Sequence, residues 1–311
     1  MEVNESFNVD MTVNVAGIRL KNPVITASGT CGFGKEYSPY YMPDELGAIT
    51  VKALTLKPLL GNPPPRVAET YSGMLNAIGL QNPGVEHFIK NELPRLKRLG
   101  AVVIANLAGT SAEDYCAAAE LLDESSVDML ELNISCPNVK EGGIMFGTRP
   151  AEAEKITGAV REKVKKPLIV KLTPNVTDIT EIAKAAEFGG ADAVSLINTV
   201  LGMRIDIVKR RPALANITGG LSGPALFPIA VRMVWQVKKA VKLPVIGMGG
   251  ISTGEDAVEM MLAGADAVAV GTAAFCNPYA PLEIRDGIEK YCADNKIGRV
   301  SELTGGVIID D

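Results

Sequence analysis

Met129-Leu130-Glu131-Leu132-Asn133-Ile134-Ser135-Cys136-Pro137-Asn138-Val139-Lys140-Glu141-Gly142-Gly143 is the stretch on which the reading of this chain turns. Its first five residues make an apolar run of strand length, the kind that a parallel sheet buries on both faces. The character then changes to a cysteine, two asparagine amides (Asn133 and Asn138) and a glycine pair. Such groups at the carboxyl end of a parallel strand stand where α/β folds place their chemistry. A thiol there can serve as base or nucleophile, and amides can hold a planar polar substrate. Cys136, in a polar loop rather than an apolar run, is the candidate catalytic residue.

Working outward, short apolar runs alternate with longer amphipathic ones. Strands are expected at Val24–Ala27, Ala48–Lys52, Val102–Asn106, Met129–Asn133, Leu168–Leu172, Ala193–Asn198, Val245–Met248 and Ala267–Gly271. Helices are expected at Pro83–Leu99, Ala112–Glu124, Ala151–Lys165, Asp178–Phe188, Pro224–Val241, Gly254–Leu262 and Leu282–Asp294. Eight strands alternating with helices predict a closed (β/α)8 TIM barrel, an α/β fold forming one domain over residues 1–311. Gly190-Ala-Asp-Ala-Val194 and Gly264-Ala-Asp-Ala-Val268 are identical, each joining a helix end to a strand. Glycine ends the helix and β-branched residues begin the strand.

Two stretches exceed a minimal barrel. Leu54–Gln81 and Leu201–Gly223 follow strands, so both are expected over the barrel's catalytic mouth as lids, substrate walls or subunit contacts. Thr12–Leu20 alternates about Ala16-Gly17 and reads as an N-terminal hairpin capping the opposite end.

Composition narrows the function classes. A formal charge of −5 argues against a nucleic-acid partner. No apolar run approaches the roughly 18 residues that span a bilayer, and the first residues lack the basic and apolar regions of a signal peptide. A soluble, cytoplasmic chain is expected. Cys31, Cys116, Cys136, Cys276 and Cys292 form no CxxC pair, so no zinc or iron–sulfur site is expected and free thiols are. His87 is the one histidine, in an early helical turn, and its ordinary reading is a surface residue.

Pro244–Asp256 runs from a strand into a helix through Gly249-Gly250, and the next strand ends in Gly271-Thr272. Barrel phosphate sites are built from the loops after strands seven and eight, so a phosphate is expected at Gly249, Gly250, Gly271 and Thr272. Lys52 and Lys171 lie at apolar strand ends, where a lysine needs an anion or polarised ring. Asn106, Asn133 and Asn198 end three other strands, so five polar side chains ring one pocket. Cys31, in the loop after the first strand, is a lesser rival to Cys136.

Together these residues resemble the dihydroorotate dehydrogenases, flavin enzymes of pyrimidine synthesis. The matching motifs are Ala27-Ser28-Gly29-Thr30, Asn76–Asn82, Asn133–Gly143, Gly219–Gly223 and the two phosphate-loop segments. The resemblance implies one FMN over the barrel mouth, its ring against Ala27 and Ser28 and its N1/O2 side facing Lys171. Further flavin contacts map onto Lys52, Ala53, Asn106, Asn133, Ile197 and Gly223. Substrate contacts map onto Lys52, Asn76, Ala77, Ile78, Gly79, Leu80, Asn133, Asn138, Asn198 and Thr199. Lysine would pair with the orotate carboxylate, and Cys136 would take the C5 proton of L-dihydroorotate as hydride leaves C6 for the flavin. Cysteine as base marks the cytosolic branches of the family, since the membrane-associated branch uses serine. Asn76–Gln81 and Leu214–Pro224 are most similar to the NAD-linked branch, class 1B. There a homodimer core joins an iron–sulfur subunit carrying FAD and a 2Fe–2S cluster, a heterotetramer. The fumarate-reducing class 1A homodimer is the close alternative, and the phosphate loops alone would also permit a flavin-free barrel synthase or a non-enzymatic flavin scaffold. Arg204 departs from the family, which usually has a small residue there, and is expected to alter loop packing.

Overall fold

The computed structural model describes residues 7–135 and 143–309. Eight parallel strands close into a barrel: β1 (Val24–Thr26), β2 (Ala48–Thr50), β3 (Val103–Leu107), β4 (Met129–Asn133), β5 (Leu168–Lys171), β6 (Ala193–Leu196), β7 (Val245–Met248) and β8 (Ala267–Val270). Each strand pairs with its sequence neighbours and β8 closes on β1 through Val268↔Val24. Every residue of these strands is buried, which is why they read as continuous apolar runs rather than as alternating ones. The amphipathic helices expected between them form within a few residues of the expected bounds, among them Ala112–Asp123, Pro150–Arg161, Ile179–Phe188 and Gly254–Leu262. The helix expected over Pro83–Leu99 carries a π-helical stretch, Phe88–Glu92, directly before Leu93–Arg98. Pro94 has no N–H to give and crowds the preceding turn, which accounts for the widened winding there. No helix among the described residues is long and apolar enough to cross a membrane.

The repeated Gly-Ala-Asp joint has a structural cause beyond helix termination. Asp192 accepts the N–H of Leu168 at 2.8 Å and pairs with Arg161 at 2.7 Å. Asp266 does the same with Val245 N–H at 2.8 Å and Lys238 at 2.7 Å. Asp128, outside the sequence repeat, accepts Val103 N–H at 2.7 Å and pairs with Lys97 at 2.6 Å. In each case the aspartate opens an even strand, captures the first N–H of the odd strand beside it and engages the helix leading to that odd strand. The repeating unit of this barrel is therefore two βα units long over β3 to β8.

The two long insertions build one structure. Val67–Thr70 and Gly73–Asn76 from the first pair with Val200–Met203 and Thr218–Ser222 from the second in a four-stranded antiparallel sheet. The insertions follow β2 and β6, which stand opposite each other in the barrel, so the sheet bridges the mouth. It has its own small core of Leu75, Ala77 and Leu214. Arg204 donates to the Glu69 carbonyl, joining the segment after one edge strand to the other edge strand, so the sheet curls. At the other end, Val13–Val15 and Ile18–Leu20 form the expected hairpin, with Ala16 and Gly17 at φ of 51° and 83° making the tight turn.

Candidate active site

The pocket lies at the carboxyl ends of the barrel strands, under the bridging sheet. One arc of its wall, from β7 through β8 to β1, is mostly backbone. Gly249 and Gly250 have φ of 121° and 81°, a region that side-chain-bearing residues rarely enter. A Cβ on Gly250 would stand 2.7 Å from the Phe227 nitrogen, and one on Gly271 would stand 3.3 Å from the Ala27 Cβ. Thr272 donates from Oγ1 to the Ser222 hydroxyl at 2.8 Å, tying this arc to the second insertion beside Gly223. Ser28, Gly249, Gly250, Gly271, Thr272 and Gly223 all face the pocket. The result is a narrow, glycine-lined cradle with the Ser28 and Thr272 side chains at its edge, an arrangement suited to a phosphate.

The facing arc, from β3 to β6, is made of buried polar side chains. Asn106 is fully buried, with Glu131, Asn133, Ser135, Lys171 and Ser195 at 6% exposure or less. Asn133 and Lys171 are register neighbours on β4 and β5, and Lys171 and Ser195 on β5 and β6. Lys171 reaches the pocket and, among the described residues, makes no ion pair within 4.0 Å. A buried ammonium of that kind is matched by an anionic or strongly polarised ligand group. Asn198 donates to the Ser135 hydroxyl at 2.6 Å. Asn175 steadies the Asn198–Thr199 loop by donating to the Thr199 carbonyl and accepting the Leu201 N–H at 2.9 Å.

Lys52, Ala53, Asn76, Ile78, Gly79, Leu80, Asn133, Lys171, Ile197, Asn198 and Thr199 thus meet in one pocket. The Lys52 ammonium lies over Gly29, 3.4 Å from where a Cβ would stand. Two expected contacts are set back from it. Asn106 sits beneath the wall, donating to Glu131 and accepting from Asn133. Ala77 is buried in the core of the bridging sheet. Cys136 and Asn138 lie outside the described residues. Ser135, the last described residue before them, is 3% exposed and bonded to both Asn133 and Asn198.

The rival thiol is disposed of by its surroundings. Cys31 is buried, and burial pushes its pKa from 9.0 up to about 11 although its S–H donates to Thr26 Oγ1 at 3.2 Å. A thiol so held is a packing group, not a base at neutral pH. His87 is exposed on the helix that follows the first insertion and does not line the pocket. Sequence reading missed Glu131, Ser195 and Asn175. The one visible signal was a glutamate in the middle of a five-residue strand that is otherwise apolar up to Asn133.

Comparison with known proteins gives a consistent result. The sequence model of the family described as dihydroorotate dehydrogenase matches residues 10–292. A protein of Alkaliphilus oremlandii named dihydroorotate dehydrogenase B (NAD(+)), catalytic subunit, is 58% identical over 296 residues, covering 95% of this chain and 98% of the relative. Its namesake in Alkaliphilus metalliredigens is 58% identical over 299 residues, covering 96% and 99%. That of Lachnoclostridium phytofermentans is 57% identical over 299 residues, covering 96% and 100%.

Proposed function

The chain belongs to the dihydroorotate dehydrogenase family, and we propose that it is the catalytic subunit of an NAD-linked member, oxidising L-dihydroorotate to orotate in the cytoplasm. The observation that carries this reading is one pocket holding a glycine-lined phosphate cradle on one arc and, on the other, a buried Lys171 that makes no ion pair among the described residues, with asparagine amides beside it. The residues of that pocket suit FMN: Gly249, Gly250, Gly271 and Thr272 would hold its phosphate, and Ser28 and Lys171 would contact its ring. When bound, FMN supplies the hydride acceptor.

The chain's own residues do the rest. Lys52 pairs with the substrate carboxylate, and Asn76, Asn133 and Asn198 hold the planar ring and its amides through hydrogen bonds, fixing C5 and C6 in place. Lys171 would offset negative charge developing on the bound flavin, in a pocket that the bridging sheet partly covers. Cys136 follows directly on the buried Ser135 and takes the C5 proton; Asn138 adds a further amide from the same loop. The electrons leave through a second subunit carrying FAD and a 2Fe–2S cluster, in a heterotetramer built on a homodimer of this chain.

The test is acceptor use by the FMN-reconstituted protein. Dihydroorotate-dependent NAD reduction is expected only when the iron–sulfur subunit is added, with little turnover on fumarate. Rapid fumarate-linked turnover by this chain alone would overturn the NAD-linked assignment.

A further inference from the structure

Asn82 closes the neck of the first insertion. It is buried, and its amide spends all four of its hydrogen-bonding positions on groups from the two ends of that insertion. Oδ1 accepts the Thr55 N–H at 3.2 Å, on the segment leaving β2, and the Gly84 N–H at 2.8 Å, at the entry to the following helix. Nδ2 donates to Thr55 Oγ1 at 2.8 Å and to the Leu80 carbonyl at 2.7 Å. Two backbone N–H groups bear on Oδ1, so the amide has one sense. Among the described residues no other group accepts the Thr55 or Gly84 N–H or donates to the Leu80 carbonyl.

The carbonyl that Asn82 holds belongs to the pocket wall. Ile78, Gly79 and Leu80 line the cavity, whereas Asn62 and Asn82 do not. The carbonyls of this stretch are taken by those two residues behind it. Ala77 accepts from Asn62 Nδ2 and Ile78 from the Asn62 N–H, each at 3.0 Å, and Leu80 accepts from Asn82. Leu80 stands at a φ of 55°, a region that leucine rarely enters, and packs on Ala53 and Ala108. A residue in that region keeps its conformation only while its surroundings hold it there. Asn62 secures the near end of the stretch, and the hydrogen bond that secures the far end is Asn82's alone.

We propose that Asn82 is a positioning residue for substrate binding, acting through the Leu80 carbonyl to keep the Ile78–Leu80 wall in place against the bound ring without touching the ligand itself. The identity of the ligand rests on the dihydroorotate reading. Asn22 supplies a comparison within the same molecule. It too is a buried asparagine, whose Oδ1 accepts the Val24 and Gly47 N–H groups at 3.1 and 2.9 Å and whose Nδ2 donates to the Glu45 carbonyl at 3.0 Å. It ties the entries of β1 and β2, at the barrel end away from the pocket. The two clamps share one chemistry, but only Asn82 grips a carbonyl of the pocket wall.

Aspartate at either position keeps the shape and both N–H contacts but turns the donor into an acceptor facing a carbonyl. The experiment compares FMN-loaded Asn82→Asp and Asn22→Asp by the flavin absorbance change on orotate titration and by steady-state kinetics with dihydroorotate and a dye acceptor. Both variants are expected to melt lower than wild type and to keep one FMN per chain, because the glycine-lined cradle stands on other segments. Asn82→Asp should bind orotate about tenfold more weakly and raise the KM for dihydroorotate by a similar factor, with kcat within about threefold. Asn22→Asp should leave affinity and KM within about twofold of wild type. Asn82→Ala, which leaves room for water at the Thr55 and Gly84 N–H groups, should repeat the KM effect. Orotate affinity near wild type in a folded Asn82 variant, an equal loss in Asn22→Asp, a fall in kcat with KM unchanged, or failure of both Asn82 variants to fold would each overturn the proposal. If wild type itself does not bind orotate, the dihydroorotate reading falls and this role with it. If wild type and the Asn82 variants bind equally well, only the role of Asn82 falls.

Discussion

The two arcs of the pocket solve recognition in opposite ways. From β7 through β8 to β1 the wall is mostly backbone, made by Gly249, Gly250 and Gly271. From β3 to β6 it is polar side chains, Asn133 and Lys171 at the wall with Asn106, Glu131 and Ser195 beneath them, none more than 6% exposed. The first arc reads its ligand by close approach, so it fails when volume is added. The second reads by the direction of hydrogen bonds and by charge, so it fails when polarity changes at constant volume. An enzyme that must hold a cofactor permanently and a substrate briefly has use for both.

The largest expected effect belongs to Cys136, next in sequence after the polar arc's Ser135. Cys136→Ala should lower dihydroorotate turnover by roughly 10²–10⁴-fold, the ordinary worth of a positioned general base, while the FMN content of the purified protein stays at wild type. Near-wild-type turnover in that variant would remove the thiol from the mechanism. On the backbone arc, Gly250→Ala should do the reverse. Its Cβ would press to 2.7 Å from the Phe227 nitrogen at a φ of 81°, so FMN affinity is expected to drop roughly 10²-fold, read as flavin lost on gel filtration. Stoichiometric FMN in Gly250→Ala would mean that close backbone approach is not what holds the cofactor on this arc.

The smallest effect concerns Cys31, a thiol buried against Thr26 of β1 and Thr50 of β2. Its thiol is raised from 9.0 to about 11 by burial, so the neutral form is the one the fold favours. That contribution is whole below pH about 9 and is lost as pH rises through about 11, a change on the order of 2–3 kcal/mol. The difference in urea-unfolding free energy between wild type and Cys31→Ala should therefore shrink by about that amount from pH 8 to pH 11. A pH-independent difference would mean that the thiol is not held as the geometry describes.

How much of this was legible depended on the range of the interactions. The barrel strands were readable because burial on both faces writes an uninterrupted apolar run, and Gly249-Gly250 because a positive φ demands glycine. The bridging sheet was not readable as a sheet. Its strands are four or five residues long, and Asn76 pairs with Gly220 across the whole barrel, so no local period marks them. The Gly-Ala-Asp echo was visible, yet the work of its aspartate is done on the neighbouring strand, 24 residues away from Asp192 and 21 from Asp266. Glu131 hid inside an apolar run because its partners, Asn106 and Ser195, stand 25 and 64 residues off. Cys136 was conspicuous in sequence because it stands among polar, proline and glycine residues, where a merely packed cysteine is out of character.

The measurement that bears most directly on the account is anaerobic mixing of the yellow, FMN-loaded chain with L-dihydroorotate while the visible flavin absorbance is followed. Bleaching with release of one orotate per flavin is the predicted result. Unchanged absorbance with FMN demonstrably bound would contradict it, and would return Lys52 and the asparagine wall to an unknown substrate.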